Sequence, residues 1–313
     1  MAGSGDSTRA IFFALGANFA LACAKGVAAF FTGSSAMLAE TVHSVADCGN
    51  QLLLLLGMKQ AKRPPSPDYP LGYGKAIYFW SFLVAVMLFT VGGMFSLYEG
   101  VHKLQHPEPL RQWWWAAGVL VFGIIVEGIS MRACLQEVNK ARGDRSLWQW
   151  FRGSRQAELV VIFGEDLAAL LGLVFALAAV LLAVATGNPV WDAIGTIGIG
   201  ALLIVVAVFV AIEVKAMLIG QGVHPLQQEQ MRSWLEARPE IARVFNLITL
   251  QLGSDVMVSV KAQMREAQDA GALLAQINAV EAALQAEFPE VRWSFFEPDV
   301  ADDDKHGLPT ATS

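Results

Sequence analysis

Apolar residues along the 313-residue chain gather into six long blocks, at 10–31, 36–58, 76–98, 113–131, 159–185 and 191–212. Each reaches or approaches the roughly 20 residues that a helix needs to cross a bilayer core of about 30 Å. The pattern therefore predicts six transmembrane helices. The first block is too long for a signal-peptide core and lacks a small-residue cleavage pattern, so it is expected to persist as a span. Beyond residue 223 the period changes. Residues 225–238 read as a helix, and 244–252 and 256–264 as strands around the turn signal Gly253-Ser254-Asp255. In the second strand Val256, Val258, Val260 and Ala262 alternate with Met257, Ser259, Lys261 and Gln263, the period of a half-buried strand. Leu273, Ile277, Val280, Leu284 and Phe288 then share one helical face, and 292–296 form a third strand. The expected fold is an α-helical membrane protein, six transmembrane helices followed by a small α+β domain of order αββαβ with its helices on one face of the sheet. The expected boundaries are 1–223 for the membrane domain, 224–298 for the α+β domain and 299–313 for a disordered tail.

Composition sharpens this division. The chain is 55% apolar and only 16% charged, against about a quarter charged in soluble domains. Residues 1–223 carry 15 basic against 14 acidic side chains, whereas 224–313 carry 7 against 14. A soluble enzyme, a nucleic-acid binder with a basic face and a disulfide-stapled secreted module are all excluded. Cys23, Cys48 and Cys134 lie in or beside apolar blocks without paired spacing and read as small membrane residues. The connections 59–75 and 132–155 hold ten Lys and Arg, the alternate connections only Lys103 and Arg111. By the positive-inside rule both ends face the cytoplasm or an equivalent inner compartment, with a bacterial inner membrane as the expected location. Trp113, Trp114, Trp115 and Trp191 then form outer interfacial anchors.

Ionisable groups inside spans cost a few kcal/mol, on the order of 2.5–3.5 for Asp, and need a reason. The second span carries Glu40, His43, Ser44, Asp47, Asn50 and Gln51 on one side of its helix. The fifth adds Glu165 and Asp166, the fourth Glu127, the first Asn18 and Lys25. Of five histidines only His43 lies within a span. One neutral imidazole with carboxylates from two helices suits a divalent cation, and because zinc, manganese, iron and cobalt accept overlapping donors the ligands alone do not name the metal. The alternative for polar residues in a bundle is hydrogen bonding between helices. Glu40, Asn50, Gln51 and Asn18 are assigned that role, and Lys25 is expected to snorkel or to pair with a carboxylate. Glu127 is a candidate for a proton step, while Glu213 and Lys215 read as interfacial.

The run Thr32-Gly33-Ser34-Ser35-Ala36-Met37-Leu38-Ala39-Glu40-Thr41-Val42-His43-Ser44-Val45-Ala46-Asp47 closely resembles the first-to-second-span region of cation diffusion facilitators, which are metal-ion/proton antiporters. Gly72-Tyr73-Gly74-Lys75, Tyr98-Glu99-Gly100 and residues 192–203 resemble the same family. The resemblance spans about residues 9–298. It implies divalent-metal efflux coupled to protons, no enzymatic activity and no cofactor beyond the transported ion. It also implies that the ferredoxin-like tail dimerises two copies. The family's transport site pairs a His/Asp-x-x-x-Asp on the second span with a matching pair on the fifth. His43 and Asp47 fit the first pair, and Asp166 fits the second acid. Ile162 stands where the fourth ligand belongs, with Glu165 beside Asp166 instead. This Glu-Asp arrangement resembles the branch that contains the animal mitochondrial zinc exporter, and a metal site of His43, Asp47, Asp166 and Glu165 follows. Tyr69 and Tyr73 occupy positions of a secondary loop metal, and Phe245, Val260 and Phe296 lie near positions of tail metals. No metal is therefore expected in the tail. An intramembrane enzyme, an organic-cation antiporter and a non-transporting scaffold are weaker readings of the same polar residues.

Overall fold

A chain inside lipid has no water to satisfy its backbone, so a bilayer-length apolar block folds as helix, where every N–H and C=O is paired within the segment. The computed structural model describes residues 4–107 and 112–301, without the side chains of 4–14 and 17. Six long helical stretches match the six apolar blocks. They are α1 (Ser4–Thr32), α2 (Ser35–Ala61), a composite of α3 (Ala76–Met87) and α4 (Phe95–Gln105), α5 (Trp113–Arg142), α7 (Ala157–Thr186) and α8 (Val190–Ile219). By length and composition four of these, 76–105, α5, α7 and α8, stand out as apolar enough to cross a membrane. The polar side chains described above lower the hydropathy of α2, and α1 is described in full only from Asn18 onward.

Local chemistry sets the joints. Gly33, at φ +67°, turns the chain after α1, and the Ser34 hydroxyl then accepts from Met37 N to cap α2. Gly187, at φ +66°, ends α7 in the left-handed conformation. Between α3 and α4 the span passes through a π-helical segment, Leu88–Met94, containing Gly92 and Gly93. A short helix, α6 (Leu147–Gly153), interrupts the connection between α5 and α7. Its start is a capping box, with Ser146 accepting from Gln149 N and Gln149 returning to Ser146 N. Its Trp150 and Phe151 pack beside Phe163 of α7.

Helices close on one another through small residues, as expected where lipid and side chain are equally apolar. A Cβ on Gly195 of α8 would lie 2.2 Å from that of Ala179 on α7, and one on Gly200 would lie 2.8 Å from Leu97 N of α4. Large apolar side chains such as Phe122, Ile125 and Ile129 point outward, as lipid-facing residues do.

The C-terminal region has the order α9 (Pro225–Glu236), β1 (Ile241–Leu252), β2 (Asp255–Met264), α10 (Ala270–Glu287) and β3 (Val291–Pro298). β2 is central, antiparallel to β1 and parallel to β3, with Leu250 opposite Met257 and Val258 opposite Ser294. Val256, Val258, Val260 and Ala262 are buried with Met231 and Leu235 of α9 and Val280 and Leu284 of α10. Both helices thus cover the face that the alternation predicts. Past β3, Asp299 remains attached, its N–H donating to Ala262 O at 3.0 Å and its carboxylate 2.8 Å from Lys261 Nζ. The rest of the expected tail, from 302, lies outside the described residues.

The chain forms two compact units, Met1–Arg63 with Lys75–Leu218, and Pro64–Gly74 with Ile219–Ser313. The α2–α3 connection therefore folds with the tail. Within that second unit Tyr69 and Tyr73 stack at 4.4 Å, and Gly74 meets the β1–β2 turn so closely that a Cβ there would fall 2.0 Å from Leu252 O.

Candidate metal site

Helical spacing on α2 sets Glu40, His43, Ser44 and Asp47 along one stripe. The stripe begins at a fixed point. Asp192 of α8, itself buried, accepts from Ser34 Oγ at 2.6 Å, Ser35 N at 2.8 Å and Ser35 Oγ at 2.9 Å. A carboxylate at a helix N-terminus satisfies unpaired donors and opposes the positive end of the helix dipole. Ser35 Oγ also meets Thr196 Oγ1 at 2.9 Å. The sequence marks residues 192–203 as a motif but does not reveal this clasp, which joins residues more than 150 positions apart.

One turn further along, Lys25 of α1 is fully buried. Its Nζ lies 3.1 Å from Glu40 Oε2 and 2.7 Å from Ser44 Oγ. Of the two expected fates, pairing is the one observed, and Glu40 is its partner. The other Glu40 oxygen faces Gly172 of α7, where a Cβ would stand 2.5 Å away. Glu40 thus touches two helices, and only glycine permits the second contact.

His43 is fully buried, with Nδ1 3.5 Å from Asp47 Oδ1. Neither ring nitrogen has a hydrogen-bond partner among the described residues. A Cβ on Gly92 would lie 3.8 Å from His43 Nδ1, so the imidazole rests against the π-helical segment of the third span. Asp47 Oδ1 and Glu165 Oε1 are likewise buried without a hydrogen bond. Leaving such groups unsatisfied costs about 1–3 kcal/mol each, a cost that a bound cation would offset.

Asp47 and Glu165 border one small cavity with Asp166, Glu127, Asn18, Gln51 and Ala169. Its free volume is about 10 Å³, room for a single water or bare ion. Asp166 accepts from Ser130 Oγ of α5 at 3.2 Å. Three of the four candidate ligands therefore meet around one space, while His43 does not line it and reaches the group through Asp47. Among the described residues, no three His, Cys, Asp or Glu side chains stand close enough to hold an ion without moving. Ile162, one turn before Asp166, is 38% exposed and apolar. Asn18, Gln51 and Glu127 enter the cavity although the sequence assigns them other roles. Their polarity within apolar blocks is the only signal the sequence offers. In the tail, Val260 is buried in the sheet between Leu247 and Phe296.

The sequence model of the cation efflux transmembrane domain matches residues 11–219, two thirds of the chain. Over 231 residues the chain is 34% identical to "Proton-coupled zinc antiporter SLC30A9, mitochondrial" of Xenopus laevis, covering 73% of this chain and 41% of that protein. It is 32% identical over 231 residues to "Metal tolerance protein C4" of Arabidopsis thaliana, covering 73% of this chain and 50% of that one. It is 24% identical to "Zinc transporter ZitB" of Escherichia coli over 276 residues, 87% of this chain and 82% of that one. The chain thus spans about half or less of the first two relatives' length. Six helical stretches, four of them bearing buried carboxylates, a following αββαβ sheet and this match over most of the helical region lead to one assignment: the chain belongs to the cation efflux family, the cation diffusion facilitators.

Proposed function

We propose that the chain moves a divalent metal cation, zinc first, out across its membrane in exchange for protons. The observation that carries this reading is the small cavity bordered by Asp47 of α2 and Glu165 and Asp166 of α7, one helical turn from the buried His43. A cation stripped of water needs anionic or lone-pair donors that are shielded from bulk solvent and not committed to another side chain. Asp47 Oδ1, Glu165 Oε1 and both His43 nitrogens meet that condition. Zinc and protons appear together in the name of the Xenopus relative, and zinc in that of the bacterial one.

The exchange follows from shared atoms. A metal binds deprotonated carboxylates and a neutral imidazole, so metal and protons compete for the same lone pairs. Metal arriving from the inner side displaces protons and draws His43, Asp47, Asp166 and Glu165 together. After the bundle opens outward, protons displace the metal and return with the empty site. No separate proton route is required. The oxygen-rich lining favours a second reading within the family, a manganese, iron or cobalt exporter, since carboxylates and amides suit harder ions. An organic cation is disfavoured because the cavity is the size of one small ion.

The distribution of Lys and Arg argues that both ends lie in the inner compartment, whether the membrane is a bacterial inner membrane or an organelle's. Two copies associating through the region 224–298, with 1–223 as the transport domain, complete the proposal. The test is metal-driven proton flux in proteoliposomes. Asp47→Asn and Asp166→Asn are each expected to abolish it, and full flux in either would show that the ion is held elsewhere.

A further inference from the structure

The fifth span offers Asp166 and, one turn earlier, an apolar Ile162 that is 38% exposed. The position one turn before Asp166 therefore offers no donor, and α5 supplies a carboxylate at the same cavity. Glu127 and Ser130 stand three residues apart on α5 and so share a face. Ser130 Oγ donates to Asp166 Oδ2 at 3.2 Å, which fixes that face toward α7 at the level of the transport residues. Glu127 is 7% exposed and lines the cavity with Asp47, Glu165 and Asp166. A carboxylate there is costly in a segment as apolar as 123–131 is by sequence. The nearby buried lysine, Lys25, is already held by Glu40 and Ser44. Two further oxygens at the cavity point to a ligand. Glu165 Oε1, on a side chain only 7% exposed, and Gln51 Oε1 are both buried there without a hydrogen bond.

We propose that Glu127 of α5 is a further ligand to the transported cation, closing an oxygen shell with Asp47, Glu165 and Asp166 and making the site one of three helices rather than two. This rests on the reading of Asp47 and Asp166 as transport ligands. A shell in which carboxylates outnumber the single imidazole favours divalent cations that accept hard oxygen donors, so Mn²⁺ binds as well as Zn²⁺.

The full chain in detergent or nanodiscs is titrated calorimetrically with Zn²⁺ and with Mn²⁺. Co²⁺ is added as a spectroscopic probe, because its visible absorption intensity reports coordination number. Glu127→Gln is expected to weaken Mn²⁺ binding about tenfold or more, to weaken Zn²⁺ less, and to change the Co²⁺ spectrum. Glu137→Gln, at an exposed site on the same helix, is expected to change neither. If Glu127→Gln does not fold, Glu127→Asp takes its place, and its shorter carboxylate is expected to weaken Mn²⁺ and shift the spectrum. Unchanged affinity and spectrum in the variant that folds, with binding lost in Asp47→Asn, overturns the role of Glu127 and leaves the transport site standing. Undiminished binding in Asp47→Asn and Asp166→Asn overturns the site itself, and this inference with it.

Discussion

Lys25 shows how much a single buried charge depends on its neighbour. Lys25 and Glu40 are both inaccessible to solvent, so their attraction is weakly screened, but each has lost its hydration. Such a pair adds little net stability, whereas breaking it is expensive. Lys25→Met leaves the Glu40 carboxyl buried without its partner and is expected to destabilise the bundle by about 3–5 kcal/mol. Lys25→Met with Glu40→Leu removes both charges and is expected to recover most of that loss. Denaturant unfolding of the full chain in detergent measures both, and equal losses in the single and double variants would show that the pair is not coupled. The sequence announces the lysine as an anomaly in an apolar block but cannot say which carboxylate it meets, because that depends on the crossing of α1 and α2. Glu127 has the same history. Its polarity is legible in the chain, but its place beside Asp47 and Asp166 depends on how α2, α5 and α7 pack.

At the scale of elements, the long helices were the most legible part, since lipid imposes one length and one backbone solution. Their ends were less so. The apolar block of α5 stops near residue 131, but the helix runs to Arg142, because polar residues leaving the bilayer continue a helix without penalty. The helix α6 was hidden in a polar connection, although Ser146 and Gln149 carry its start signal. The π-helical segment Leu88–Met94 has no periodicity of its own to read, yet it brings Gly93 against Ile204 and Gly200 of α8 and Gly92 near His43. The tail was legible strand by strand because alternation along β2 matches its buried positions. The contact of α7 with α8 allows a sharp comparison. Gly195→Ala sets a methyl 2.2 Å from Ala179 Cβ and is expected to cost about 1–3 kcal/mol through overpacking. Gly198→Ala, on the same helix, meets nothing within 4 Å and is expected to be neutral or to gain up to about 1 kcal/mol of helix propensity. Thermal melts of the two variants separate packing from propensity.

At the scale of the whole molecule, the chain visits its second unit twice, once at Pro64–Gly74 and again from Ile219 onward. The early visit includes a close approach of backbone to backbone. Gly74 stands against Leu252 and Gly253, and Gly253 itself turns at φ +70°. Gly74→Ala would drive a methyl into Leu252 O. It is expected to loosen 64–74 and the β1–β2 turn, read as faster amide hydrogen exchange in both stretches while α9 and α10 stay protected. Unchanged exchange would show that the loop is held elsewhere. The order of the chain gives this arrangement a practical edge. Cutting the gene after α8 does not yield a clean membrane half, because eleven residues between α2 and α3 would be left without the fold they belong to. A functional swap of tails between relatives must therefore exchange that loop as well, as two inserts rather than one.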